Sequence, residues 1–237
     1  MDSFPNTVAF KNDDQHEDLN ADFSVPAMVD TRAVSWQPSP APGVLRKRLE
    51  LVSFSQPRIT TLVQFEAGSS FKQHTHSGGE EFLVLSGVFS DETGDYEEGC
   101  YIRNPPGSFH APFTHEGCQI LVKLGQFQAH DDKQLVLRSK HYSCRWRPSN
   151  EPGVSKLDLH QFQNEMVTLF KINPNCWMDK KCYPDGVEIF IYQGSLSDGN
   201  NQYSEGCWLR YPVGSRLKIS TVDGALLYMK QGHFPES

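Results

Sequence analysis

Several features are missing from this 237-residue sequence, and each absence narrows what the protein can do. No apolar run is long enough for a signal peptide or a membrane-spanning helix, so we expect a cytoplasmic protein with no membrane partner. The six cysteines form no Cys-x-x-Cys pair, which argues against a zinc knuckle and a disulfide framework. Lys and Arg number 22 against 29 Asp and Glu, a net charge of −7, so nucleic acid is not an expected partner.

A long internal repeat organises the chain. The segment EGCYIRNPPGS, which begins at Glu98, agrees at seven positions with EGCWLRYPVGS, which begins 107 residues later at Glu205. Further upstream, WQPSPAPG from Trp36 matches WRPSNEPG from Trp146. The period is too long for a solenoid, so we interpret the chain as two copies of one domain-sized fold.

Each copy is predicted to consist of short strands. Fifteen Phe and eight Tyr accompany 18 Gly and 15 Pro, a composition that favours strands and turns over long helices. Runs such as FLVL are apolar on both faces and indicate strands that are covered on both sides, as in a sandwich or closed barrel. The predicted strands are ITTLVQF, EEFLVLSGVFS, CYIRNP and CQILVKLGQF in the first copy, and MVTLFKI, VEIFIYQGSL, CWLRYP and ALLYMKQ in the second.

The fold class predicted from these strands is all-β, with two tandem jelly-roll (double-stranded β-helix) domains. We place a polar N-terminal extension at residues 1–30, the first domain at 31–137 and the second at 138–237. At least the first part of the extension is expected to be a flexible tail. A strand added to a neighbouring sheet is the alternative.

Four potential metal ligands stand in the first copy, at the spacings G-x5-H-x-H-x3-E-x6-G and G-x5-P-x-G-x2-H. His74 and His76 are two residues apart, so on a strand both rings leave the same face. Glu80 shares their parity whereas Glu81 points the other way, and we therefore favour Glu80 as the carboxylate ligand. His110 follows a Pro-x-Gly turn, and closure of the barrel can bring it opposite the first pair.

Three imidazoles and one carboxylate suit a borderline divalent ion, of which we expect one per chain. Zinc is the first choice, and iron, manganese and nickel are the alternatives. The four ligands could close a tetrahedral zinc site or leave two positions open on a six-coordinate ion, so both sensing and catalysis stay open. Phe82, Val84 and Phe109 are predicted to line a ligand pocket beside the metal.

The second copy lacks these ligands. At the repeat offset, the four positions are occupied by Lys181, Tyr183, Val187 and Leu217. Valine and leucine cannot coordinate a metal, and a protonated lysine repels a cation. We therefore expect a metal-free second domain that is kept for packing, dimerisation or binding of an organic ligand. Arg103 and Arg210 share one repeat position, which favours a structural ion pair over a role in holding substrate.

The two ligand-bearing segments resemble the two cupin motifs at every defined position, except that Thr114 stands where the second motif usually continues to Asn. The run HTHSGGEEFLVLSGVFSDETGDY from His74 and the run RNPPGSFHAPF from Arg103 resemble the cupin module of ChrR-type anti-sigma factors. They also resemble related cupins that include acetylacetone-cleaving dioxygenases. The resemblance implies a bicupin in which His74, His76, Glu80 and His110 hold zinc, as in the sensors, or Fe(II), as in the dioxygenases. It also implies a homodimer.

The function expected from this resemblance is that of a metal-binding regulatory bicupin that senses stress or a small-molecule ligand. Only about 30 residues precede the first cupin, and none of them is a cysteine of the sigma-binding zinc site, so direct sigma-factor binding is not expected. The alternative is a metal-dependent dioxygenase or isomerase that acts on a small β-dicarbonyl or enolisable compound. Whether the protein is an enzyme stays open at this point.

Overall fold

The computed structural model describes residues 18–53, 57–142 and 145–235. These residues form twenty strands and one short 3-10 turn at Ser139–His141. None of the described helical segments is long and apolar enough to cross a membrane. The strands are β1 (Ala27–Asp30), β2 (Gln37–Pro38), β3 (Val44–Val52), β4 (Arg58–Phe65), β5 (His74–Thr75), β6 (Glu80–Asp91), β7 (Gly94–Glu97), β8 (Tyr101–Asn104), β9 (Phe109–His110), β10 (Cys118–Leu124), β11 (Leu135–Leu137), β12 (Arg147–Pro148), β13 (Val154–Phe162), β14 (Glu165–Ile172), β15 (Trp177–Tyr183), β16 (Val187–Ser197), β17 (Gln202–Ser204), β18 (Cys207–Tyr211), β19 (Ser215–Ser220) and β20 (Ala225–Gln231).

The described chain divides into two compact units with the same strand order. Residues 18–21 and 36–139 belong to the first unit, and residues 22–35 and 140–235 belong to the second. The main sheet of the first unit runs β11–β8–β6–β10–β4–β3–β2, and that of the second runs β1–β18–β16–β20–β14–β13–β12. All these pairs are antiparallel. The prediction of an all-β protein built from two copies of one jelly-roll fold is therefore confirmed.

The main segment of the second unit begins at residue 140, close to the predicted 138, and residues 22–35, most of which were predicted to belong to the N-terminal extension, also lie in the second unit. Residues 1–17, which include the predicted flexible tail, lie outside the described residues. From Asp18 onward the predicted extension takes part in the fold: Leu19 and Leu51 exchange two backbone hydrogen bonds in the first unit. Farther along, β1 lies beside β18 in the second unit. The alternative, a strand added to a sheet, describes this segment better than an extension outside the repeat.

Strands β1 and β11 occupy equivalent places in the two units. Ala27 of β1 lies opposite Arg210, and Leu135 of β11 lies opposite Arg103, which holds the same repeat position as Arg210. Strand β1 nevertheless comes before the first repeat in the chain and β11 comes before the second. Each repeat is thus completed by a strand that stands next to the other repeat in the sequence.

The interior of each unit is apolar, because alternate residues of the long strands face inward. In the first unit, Phe82 and Val84 of β6 pack with Ile120 and Val122 of β10. All four are 3% exposed or less, and full burial of such a side chain contributes roughly 1.5–3 kcal/mol. Leu83, on the opposite face of β6, is buried as well. The eight predicted strands correspond to β4, β6, β8, β10, β14, β16, β18 and β20, and burial on both faces explains their almost continuous apolar character.

Strand β6 contains a β-bulge that changes which residues face inward. Its register with β10 shifts between Val84 and Ser86, which leaves Leu85 as one extra residue. Before the bulge, Phe82 and Val84 face the core; after it, Phe89 joins the same core although its parity is opposite. Strand β16 has the same irregularity at the corresponding place. A bulge of this kind re-aims the side chains that follow it.

Gly87, two residues beyond the bulge, sits where two backbones touch. Its φ of 72° lies in the left-handed region, and an added Cβ would lie 2.1 Å from the carbonyl oxygen of Gly117. Gly194 in β16 repeats this arrangement, with a φ of 81° and a Cβ position 2.1 Å from the oxygen of Gly224. The repeated glycine is therefore required by the close approach of the chain as well as by its backbone angle.

We predict that Gly87→Ala destabilises the protein far more than Gly68→Ala. Both glycines have a positive φ, but an added Cβ at Gly68 meets no atom within 4 Å. Gly68→Ala should cost only the left-handed strain, about 1–2 kcal/mol, whereas Gly87→Ala adds a backbone clash and should cost about 3 kcal/mol or more. Urea unfolding of the two variants measures this difference. Equal losses would show that the contact with Gly117 is not tight.

Candidate metal centre

Two short strands bring the predicted ligands together. Strand β5 pairs with β9, and in this register His74 lies directly opposite His110. His76 follows β5, and its backbone nitrogen donates to the carbonyl oxygen of Ser108. Glu80 is the first residue of β6. The predicted approach of His110 to the first pair is thus produced by the pairing of β5 with β9.

The ligand atoms of these four residues point at one another. The Nε2 atoms of His74 and His76 are 3.3 Å apart. Oε2 of Glu80 lies 3.3 Å from Nε2 of His76 and 3.5 Å from Nε2 of His110. All four ligand atoms lie within 4.8 Å of one another. His76, Glu80 and His110 are buried, whereas His74 is partly exposed, so the site is open to solvent on the side of His74.

Each of the three imidazole rings also makes a contact at Nδ1, the ring nitrogen that does not face the other ligands. Nδ1 of His74 lies 3.0 Å from the carbonyl oxygen of Lys72, and Nδ1 of His76 lies 3.0 Å from Oγ of Ser108. Nδ1 of His110 lies 3.4 Å from Oδ2 of Asp91. A carbonyl oxygen can only accept, so Nδ1 of His74 carries the proton and its Nε2 presents a lone pair to the centre. An ionised Asp91 requires the same tautomer of His110.

Asp91 is ionised in this setting. Although burial opposes the charge, the hydrogen bonds that it accepts from His110, Thr93 and Tyr96 lower its pKa to about 2. At neutral pH its carboxylate therefore accepts a hydrogen bond from Nδ1–H of His110. The result is an arrangement of carboxylate, histidine and ligand site in which the carboxylate orients the ring and makes its Nε2 more basic.

The pKa values of His76, Glu80 and His110 are shifted in different directions. Burial lowers the pKa of His76, which keeps its ring neutral near pH 7. Burial raises the pKa of Glu80, but the nearby charge of His76, His110 and His74 and the amide of Asn104 outweigh it, so the pKa lies below its usual value. For His110, burial is outweighed by Asp91 and Glu80, and its pKa is raised. A raised pKa means that protonation of this ring competes with metal binding, so acid weakens binding.

The donor set fits a divalent metal ion. Nε2 of His74, Nε2 of His76 and a carboxylate oxygen of Glu80 converge, and a metal ion is a partner that all three can share. Four tetrahedral ligands at about 2.1 Å from an ion are separated by about 3.4 Å, and three of the separations, at 3.3–3.5 Å, are compatible with this spacing. Three neutral imidazoles and one carboxylate around a divalent ion leave one positive charge, which the carboxylate of Asp91 balances.

The apolar side chains beside the ligands are only in part the ones that were predicted to line a pocket. Phe82 and Val84 are buried in the core of the barrel, as expected for the inner face. Phe109, in contrast, is 60% exposed, because neighbouring residues of a strand point to opposite sides and His110 takes the inner one. The rings that contact the ligands are Phe71, 5.1 Å from His74, and Phe89, 5.8 Å from His110, measured between ring centroids.

Phe89 and Asp91 were not predicted as residues of the site, for the same reason. Strict alternation from Glu80 along β6 points both of them away from the site, and the extra residue Leu85 reverses that direction. The signal available in the sequence is Gly87, whose repetition at Gly194 marks an irregular strand.

Glu81, the competing carboxylate, has a structural role. It is buried on the opposite face of β6, where it forms an ion pair with Arg103 and accepts a hydrogen bond from Tyr101. Arg103 also forms an ion pair with Asp131 and stacks on Phe127. The predicted structural ion pair at Arg103 is thus present. Because its carboxylate takes part in this buried network, Glu81 is not directed at the ligands.

The second unit repeats the framework without the ligands. Lys181 lies opposite Leu217 across β15 and β19, as His74 lies opposite His110 across β5 and β9. Tyr183, Val187 and Leu217 are buried, and Lys181 is exposed. The repeat offset therefore identified the corresponding positions correctly, and none of these four side chains except lysine carries a charge.

Comparison with known families identifies this architecture. The family model described as "ChrR Cupin-like domain" matches residues 24–128 and again residues 136–235. The chain belongs to the ChrR cupin-like domain family. A comparison with curated proteins finds no match. The first matched segment includes β1, and the second begins within β11.

Solved structures share the ChrR cupin-like fold at low sequence identity. One is a proposed dioxygenase from Nostoc punctiforme PCC 73102, with a TM-score of 0.71, 17% identity, and coverage of 90% of this chain and 85% of that one. Another is the E. coli protein YlbA, with a TM-score of 0.67, 15% identity, and coverage of 92% and 96%. A third is the oxalate decarboxylase of Lactobacillus farciminis in a formate complex, with a TM-score of 0.61, 10% identity, and coverage of 88% and 86%. At these identities the similarity concerns the fold.

We predict that Asp91→Asn weakens metal binding about 10–100-fold, because a neutral amide no longer supports the His110 ring as a negative acceptor. Asp132→Asn, the same change at an exposed position of the same unit, is the matched control and should leave the affinity unchanged. A competition titration against a chelator of known affinity measures both. Equal affinities of the two variants would remove Asp91 from the account of the site.

Proposed function

We propose that the first unit binds one divalent metal ion through His74, His76, Glu80 and His110 and acts as a metal-dependent regulatory module that senses a small-molecule ligand. The observation that carries this proposal is the convergence of the four ligand atoms, with each imidazole held by a contact at Nδ1. Zinc is the proposed ion because three imidazoles and one carboxylate are a donor set that suits it. Iron, manganese and nickel are the alternatives.

The residues around the ion would each have a defined task. A bound ion would supply a Lewis-acid centre for an oxygen ligand. Asp91 holds the proton on Nδ1 of His110, while Phe71 and Phe89 keep water away from two sides of the imidazoles. The partly exposed side of His74 gives a ligand its route to the centre. The regulatory role is supported by membership of the ChrR cupin-like family and by the loss of ligands in one repeat.

A second candidate function is a metal-dependent dioxygenase or isomerase for a small β-dicarbonyl or enolisable compound. It is supported by the similarity to the Nostoc punctiforme protein described as a proposed dioxygenase. The aromatic rings of Phe71 and Phe89 would shield an enolate from water. In this case the open side of His74 would admit substrate.

We predict about one metal ion per chain in protein purified without chelator, and loss of that ion in His76→Ala. The substitution removes a buried ring that places its Nε2 3.3 Å from both His74 and Glu80. His115→Ala is the matched control, because His115 is exposed and packs on Phe113. Elemental analysis of the three proteins measures the content. A metal content that His76→Ala leaves intact would contradict the proposed site.

The same preparations separate the two candidate functions. Tightly held zinc and no oxygen uptake with acetylacetone as the test substrate are expected for the regulatory module. Steady oxygen consumption by the wild type, absent in His76→Ala and present in His115→Ala, would replace the regulatory proposal by the dioxygenase.

A further inference from the structure

The second unit contains a cavity at the position that corresponds to the metal centre. Its volume is about 370 Å³, within the range of about 300–1,000 Å³ found for small-molecule sites. Among its lining residues are Lys181, Tyr183 and Val187, the repeat equivalents of His74, His76 and Glu80. The barrel interior that would hold a metal in the first unit is therefore an open space in the second.

The floor of this cavity is apolar. Met178, Val187 and Met229 line it and are 4% exposed or less, and the partly buried ring of Phe170 packs against the same core. Methionine side chains are flexible and polarisable, so they adapt to the shape of an apolar guest. A ligand of this cavity would place a hydrocarbon body here.

Two side chains that can donate hydrogen bonds, Lys181 and Tyr183, line the cavity above this floor. Tyr183 is 3% exposed as a whole residue. Burial is the main cause that raises the pKa of Tyr183, to about 12, so this hydroxyl keeps its proton. The ammonium group of Lys181 makes no ion pair with any described residue, and its Nζ lies 5.4 Å from the centroid of the Tyr183 ring. The ammonium group and the hydroxyl can both donate a hydrogen bond to an acidic ligand in the cavity.

Lys156 and Glu151 are the other charged residues that line the cavity. Lys156 forms an ion pair with Asp158 at 3.4 Å, and a carboxylate oxygen of Glu151 accepts a hydrogen bond from the hydroxyl of Ser149. Lys181 is thus the one lining cation without an anionic partner among the described residues. Its ammonium and the Tyr183 hydroxyl together offer two donors to the two oxygens of one carboxylate.

We propose that this cavity binds a small carboxylate with an apolar body, held by Lys181 and Tyr183. In this unit a lysine ammonium replaces a metal ion as the positive partner of an anionic ligand. The ligand could be a simple aliphatic acid or an α-amino acid, whose ammonium group would face Glu151. Both share the carboxylate and the apolar body, and the experiment distinguishes them.

The test is calorimetric titration of the full-length protein with 4-methylpentanoate, leucine and leucinamide. At least one of the two carboxylates should bind, and leucinamide, which lacks the carboxylate, should not. Tighter binding of leucine than of 4-methylpentanoate, lost in Glu151→Gln, identifies the amino acid; the reverse order identifies the simple acid. No binding of either carboxylate up to about 10 mM would overturn the proposal, as would equal binding of leucinamide.

Variants locate the binding. Lys181→Met and Tyr183→Phe should each weaken it about tenfold or more, which corresponds to about 1.4 kcal/mol. Lys171→Met, an exposed lysine on β14 that does not line the cavity, should leave it unchanged. His76→Ala should also bind normally, since it removes only the metal centre of the first unit. Binding that is lost in His76→Ala and kept in Lys181→Met would place the carboxylate at the metal and contradict this inference.

Discussion

The site depends on one irregularity in one strand. Strand β6 has to direct both Glu80 and Asp91 toward the ligands, but residues 80 and 91 differ in parity and would point to opposite faces of a regular strand. The bulge at Leu85 removes this conflict. Gly87 is needed for the same irregularity, because only a glycine lets the strand pass the carbonyl oxygen of Gly117. The backbone of β6 thus couples the carboxylate that faces the ligand atoms to the carboxylate that orients His110.

The two units show which features belong to the fold and which belong to the chemistry. Strand order, the bulge and the glycine contact are common to both, whereas the four potential ligands occur only in the first. In the second unit, Lys181 and Tyr183 occupy the positions of His74 and His76. The repeat therefore preserves the barrel. On the proposals made above, a metal ion would provide the positive charge at its open end in the first unit, and the ammonium group of Lys181 would provide it in the second.

Much of this could be predicted from the sequence. The internal repeat indicated where the strands of both units lie. The alternation of side chains along a strand distinguished Glu80, which lies beside the histidines, from Glu81, which pairs with Arg103. The features that were not predicted depend on contacts between residues that are far apart in the sequence. The placement of β1 beside β18 follows from pairing across most of the chain, which no local pattern reveals. Phe109 was assigned to the pocket wall although its neighbour His110 takes the inner side, and the bulge concealed Phe89.

X-ray absorption at the edge of the bound metal reports the ligand atoms of the proposed site in the first unit directly. Three imidazoles and one carboxylate should give nearest neighbours of nitrogen and oxygen at about 2.0–2.2 Å, with the outer scattering of three imidazole rings and no sulfur. A sulfur neighbour at about 2.3 Å would assign the metal to cysteine and rule out the proposed ligand set.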